Sequence, residues 1–157
     1  MFPSKPVPIS HISHSKIYNL YRSWDTFSFH RRSGVSANDG RWHHICVTWR
    51  NSDGAWKFYK DGVLHHHSIY FKRGYTIKAG GSLVLGQEQD GLGTGFDSSQ
   101  SFLGFLTNVN VWSYVMSPYV IRAYSRSCRY GAGNVYKWSD FLYGIRGKPA
   151  IVIPSPC

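Results

Sequence analysis

A chain of 157 residues is long enough to bury one real core and too short for two full ones. Its hydrophobic share of 42% and aromatic share of 17% are not those of a disordered chain, and the lack of any run of about 18 apolar residues excludes a membrane-spanning helix. Eighteen Lys and Arg against eight Asp and Glu give a formal net charge of +10, which favours anionic partners such as sulfated glycans or anionic lipid. There is no run of five basic residues and no helix-turn-helix, zinc-finger or RNA-recognition signature, so nucleic acid is not expected.

Residues 1–14 carry three prolines, three serines and two histidines without periodicity and read as a tail or linker. They contain no apolar run able to serve as a signal-peptide core. A folded domain over residues 15–157 is expected after them. The pattern turns strand-like from Ile17.

Trp42 to Trp49 alternates, with Ile45, Val47 and Trp49 on one face and His44, Cys46 and Thr48 on the other. "AWKFYKDGVLHHHSIYF" predicts a hairpin turning at Asp61-Gly62, a strong hairpin signal. "SLVLGQ" predicts a short apolar strand, and "SFLGFLTNVNVW" one or two more. "SPYVIRAYSRS" is the one convincing helix: Ser117 can cap it, Pro118 suits its first turn, and Val120, Ile121 and Tyr124 share a face. Many short strands with one short helix predict an all-β sandwich or jelly roll. Trp42, Trp49, Trp56 and Trp112 are expected in its core.

The scarce acids are not scattered. Glu88, the only glutamate, Asp90 and Asp97 lie together in "LVLGQEQDGLGTGFDSSQ". Glu88 and Asp90, at i and i+2 of an extended strand end, leave the same face. Gly91, Gly93 and Gly95 allow the chain to double back and bring Asp97 and Gln100 towards that face. Crowded carboxylates require a proton or a cation. Calcium, with its six to eight oxygen ligands, suits this inventory better than magnesium.

His65, His66 and His67 are consecutive but have no Cys or carboxylate nearby in sequence, and a transition-metal site is not expected there. Three cysteines in a small β-rich chain imply one pair and one thiol lacking its partner if the compartment is oxidising. None has CxxC spacing.

"HHICVTWRN" followed by "GQEQDGLGTGFDSSQSFLG" resembles the pentraxin family, whose signature His-x-Cys-x-Ser/Thr-Trp-x-Ser/Thr reads here as His44, Cys46, Thr48 and Trp49, with Asn51 in the last place. "NDGRWHHICVTW", "FYKDG", "NVNVW", "MSP" and "GNVYKW" follow in the family's order, most like the neuronal type and the pentraxin modules of extracellular mosaic proteins. The resemblance implies a flattened jelly roll, an extracellular setting and calcium on one face. It carries Glu88, Asp90, Asp97 and Gln100 over as side-chain calcium ligands and Gln89 as a main-chain carbonyl ligand. A second ion would use an acidic and amide pair from early strands, for which residues 1–37 offer no match, so those strands are expected to be missing. The resemblance also implies a Cys128–Cys157 disulfide and leaves Cys46 as an unpaired thiol.

The expected function is therefore a non-enzymatic, calcium-dependent recognition module for phosphate esters, glycans or acidic protein surfaces. Its basic surface would be open to sulfated glycans, and it could form a homo-oligomer such as a cyclic pentamer. The alternative is an oligomerisation or adhesion domain in which calcium only stiffens a loop. A glycoside hydrolase on a similar jelly roll is the remote reading, because a retaining mechanism needs a second carboxyl group about 5 to 5.5 Å from the first and no second glutamate exists.

Overall fold

The computed structural model describes residues 11–19, 37, 39–78, 80–127, 131–147 and 149–152, the stretch 11–19 by its backbone. Cys128 and Cys157 lie outside the described residues, as does most of the segment 1–37.

β1 (His11–Asn19), β2 (His43–Arg50), β3 (Ala55–Lys60), β4 (Val63–Ser68), β5 (Gly104–Thr107) and β6 (Asn110–Trp112) form one antiparallel sheet, and α1 (Pro118–Arg126) is its helix. The order is β4-β3-β2-β1-β5. β5 pairs with Lys16 to Asn19 and β6 with His11 to Ser13, so the two share the side of β1 opposite β2. β1 begins at His11, and His11 to His14, expected in the tail, are therefore part of the sheet. Their Ser and His residues give no hydrophobic alternation, and only neighbouring strands reveal the pairing.

The hairpin forms where expected. Asp61 (φ 52°) and Gly62 (φ 77°) are the two positive-φ residues that let a tight turn follow the strand twist. Asp61 also fastens the turn to β2. Its N–H donates to the His44 carbonyl (2.8 Å), its Oδ1 accepts from the His44 N–H (2.9 Å), and its Oδ2 lies 2.7 Å from Nδ1 of the buried His43. The other ring nitrogen of His43 is 2.8 Å from Asp39 Oδ1. Gly62 is required for a second reason: a Cβ there would stand 2.5 Å from Ser125 Oγ and 3.0 Å from Arg122 Cα on α1.

α1 starts as its residues dictate, with the Ser117 hydroxyl accepting from the Val120 N–H and Pro118 in the first turn. Its Ile121 is fully buried with Cys46, Tyr59, Trp112 and Met116, and Tyr124 packs beside them with its ring 5.7 Å from that of Trp112. The core thus lies on the His44, Cys46 and Thr48 face of β2, all three of which are buried, whereas Ile45, Val47 and Trp49 are half-buried. Of the four expected core tryptophans only Trp112 is in the core. Trp49 and Trp56 are cross-strand partners on the opposite face, and Trp42 lies half-buried against Phe105. Alternation explains the outcome, because Trp49 is an odd number of residues from Cys46 and must point the other way.

"SLVLGQ" does not form a strand. Gly86, at φ 84°, turns the chain out of extended geometry, and an isolated bridge, Gln87 to Ser101, takes the place of a strand pairing. Asn110, buried in β6, ties in the later chain. Its Oδ1 accepts from the N–H groups of Gly133 (3.0 Å) and Trp138 (3.3 Å), while its Nδ2 donates to Asn108 O and Oδ1.

Candidate functional site

The acidic loop is a closed, two-limbed structure. At its base Gln87 bridges Ser101, and the Phe102 N–H donates to the Gly86 carbonyl at 2.9 Å. At its tip Gly91 and Thr94 exchange two backbone hydrogen bonds of 3.2 Å. Between them the limbs touch: a Cβ on Gly95 would stand 2.8 Å from Asp90 Cβ and 3.3 Å from Asp90 N, and Gly95 has φ 73°. No other residue fits both the space and the left-handed backbone.

Side chains lock this shape. Gln89 donates its amide to the Ser82 carbonyl (2.9 Å) and accepts the Gly93 N–H on Oε1 (2.9 Å). Asp97 caps the short 3-10 helix Ser98–Gln100, with Oδ1 accepting the Ser99 N–H at 2.8 Å. That backbone hydrogen bond, with help from the Ser99 hydroxyl, holds the Asp97 carboxyl below its ordinary value of 3.8. Gln87 crosses between the limbs and donates its side-chain amide to the Asp97 main-chain carbonyl.

The carboxylates are not gathered as their spacing suggested. Among the described residues no three His, Cys, Asp or Glu side chains converge, and Asp90 and Asp97 are exposed. The loop's buried oxygens are of mixed type. Glu88 Oε2, Gln100 Oε1 and Gln87 Oε1 are buried acceptors without a hydrogen-bond partner. Each such group costs about 1–3 kcal/mol in a folded protein unless something satisfies it. One carboxylate oxygen and two amide oxygens suit a hard cation that takes carboxylate and carbonyl oxygens alike, and they suit a transition metal poorly.

Two residues escaped the sequence reading. Gln87, an amide beside an acid, carries no signal of its own in the sequence beyond its place next to Glu88. Arg146, 53 residues from the loop, donates Nη1 to the Gly93 carbonyl at 3.4 Å. Only folding reveals that contact.

Residues 14–154 match the model of the Pentaxin family. The rat protein named "Sushi, von Willebrand factor type A, EGF and pentraxin domain-containing protein 1" is 46% identical over 115 residues, 72% of this chain and 3% of that protein. Human neuronal pentraxin-1 is 44% identical over 111 residues, 70% of this chain and 26% of that one. The native heptameric SAP-like pentraxin from Limulus polyphemus superimposes with a TM-score of 0.58 at 34% identity, covering 63% of this chain and 46% of that chain. The chain belongs to the pentraxin family, and its all-β fold is the jelly roll of that family. It spans only a small part of the curated relatives it matches.

Proposed function

We propose that this chain is a calcium-dependent recognition domain acting outside the cell, with Glu88, Asp90, Asp97 and Gln100 supplying side-chain oxygens and Gln89 its main-chain carbonyl. The observation that carries the reading is the set of buried, unpartnered oxygens at Glu88 and Gln100, joined by Gln87. A bound calcium ion would offer its remaining coordination positions to anionic or oxygen-rich groups such as phosphate esters, acidic glycans or acidic protein surfaces. The protein's own residues do the rest: the Gln89 and Gln87 side chains hold the limbs, Gly95 lets them close, and the surplus of basic residues steers anions inward.

A recognition role without catalysis is consistent with the relatives' names and with a site containing a single glutamate. The heptameric relative supports a closed homo-oligomer as the assembly. The proposed Cys128–Cys157 disulfide fits the same extracellular setting.

The test is calorimetric titration of calcium into the purified chain, repeated with Glu88→Gln and Asp90→Asn. Each substitution should abolish uptake while leaving circular dichroism unchanged, and binding of a phosphomonoester should disappear with it. Unaltered calcium uptake by Glu88→Gln would defeat the proposal. A calcium-dependent rise in melting temperature with no ligand binding would favour the purely structural reading.

A further inference from the structure

From Gly62 to Gln87 the chain contains no carboxylate and three fixed cations, Lys72, Arg73 and Lys78. Within this stretch residues 69–75 form a loop fastened to the turn between β2 and β3. The Tyr70 N–H donates to Asp53 O (2.9 Å), the Phe71 N–H to Gly54 O (3.0 Å) and the Gly74 N–H to Asn51 O (2.7 Å). The Trp49 indole N–H donates to Phe71 O at 2.8 Å. The two backbones are in direct contact, since a Cβ on Gly54 would stand 2.6 Å from Phe71 N.

So anchored, the loop holds two bulky residues in left-handed backbone, Tyr70 at φ 67° and Lys72 at φ 48°. Such strain persists only where surrounding bonds impose it. Its side chains meet solvent rather than the core: Ile69, Tyr70, Phe71 and Tyr75 are between 52% and 68% exposed. Lys72 and Arg73, in the turn closed by the Tyr75 N–H on Lys72 O, have no carboxylate partner among the described residues.

We propose that this loop docks on an anionic lipid surface, with Tyr70 and Phe71 entering the boundary between headgroups and acyl chains and Lys72 and Arg73 meeting lipid phosphates and carboxylates. Exposed aromatic rings flanking basic side chains are the composition of an interfacial anchor, and the charge complements an anionic leaflet. A sulfated glycan would match the cations, but it offers no hydrocarbon to Ile69 and Phe71, which carry no polar side-chain atom. The contact is a surface one, since no helix among the described residues is long and apolar enough to cross a membrane. It does not involve the oxygens of the Glu88 to Gln100 loop.

The test is co-sedimentation of the full chain with vesicles of phosphatidylcholine alone or mixed with phosphatidylserine, in chelator throughout so that the acidic loop cannot bridge through a metal. Binding should require phosphatidylserine. Lys72→Glu with Arg73→Glu should lower partitioning about 25-fold, at about fivefold per cation. Tyr70→Asn with Phe71→Ser should lower it at least about tenfold; Asn tolerates the left-handed backbone at position 70. Near-ultraviolet circular dichroism checks folding, and the charge variant changes only exposed side chains. Absence of parent binding overturns the proposal, as does undiminished binding by the aromatic variant, which would mean capture by charge alone. Retention on heparin beads without vesicle binding would reassign the loop to a polyanion and overturn it equally.

Discussion

Gly95 lies so close to Asp90 that the missing Cβ would stand 2.8 Å from Asp90 Cβ, and this contact brings the two limbs of the acidic loop together. Gly95→Ala adds that clash to a left-handed backbone of φ 73°. Overpacking costs about 1–3 kcal/mol, so the limbs should part and the calcium dissociation constant should rise about tenfold or more. Titration calorimetry checks this. The melting temperature in chelator should change little, because Gly95 is exposed and lies outside the core.

Gln87 joins the same limbs through its amide donor. Gln87→Met keeps the length and loses the bond to Asp97, and the calcium affinity should fall about tenfold. Gln87→Glu separates its two roles: it loses the donor and keeps the oxygens. If positioning dominates it should also weaken calcium binding, whereas tighter binding would make the Gln87 oxygen a ligand.

Asp61 links the β3–β4 turn to both His43 and His44. Asp61→Ala removes the acceptors of the His44 N–H and of His43 Nδ1, and should destabilise the chain by about 1–3 kcal/mol. Urea denaturation monitored by tryptophan fluorescence would measure it. Asp61→Asn should recover part of the loss by still accepting from the His44 N–H.

Acid should act through two carboxylates, the exposed Asp39 and the half-buried Asp53. Asp39 is held below its ordinary value of 3.8, chiefly by its hydrogen bond with His43, and Asp53 is held well below that value, chiefly by the Arg50 guanidinium. A carboxyl group with a lower folded than unfolded value contributes stability that is complete above about 3.9 and is lost as pH falls through the folded value. The melting temperature should therefore hold from neutral pH down to about 4 and decline beneath it. Asp53→Asn should lower it modestly near neutral pH and make the acid decline shallower.

Trp112 fills the core beside Cys46, Tyr59, Met116 and Ile121. Trp112→Ala should cost about 3–5 kcal/mol, enough to unfold a marginal domain. Trp49→Ala, on the half-buried face, should cost less. Equal losses in urea denaturation would contradict the placement of the core.

What was readable in advance was local. The Asp61-Gly62 turn and the Ser117-Pro118 helix start depend on residues within four positions of one another, and both formed as their chemistry required. The family signature at His44, Cys46, Thr48 and Trp49 and the concentration of oxygen donors from Glu88 to Gln100 were equally plain, because composition alone carries them. Folding decided matters that depend on segments far apart. His11 to His14 became strand only because β2 and β6 flank them. The polar-looking face of β2 became the core because α1 and Trp112 cover it. The loop's oxygens were sorted the same way. Asp97 turned to cap a helix, while Glu88, Gln100 and Gln87 kept buried oxygens without partners. Sequence determined which donors the loop owns; tertiary structure decided which of them are left unsatisfied, because satisfaction depends on every neighbour that the fold brings within reach.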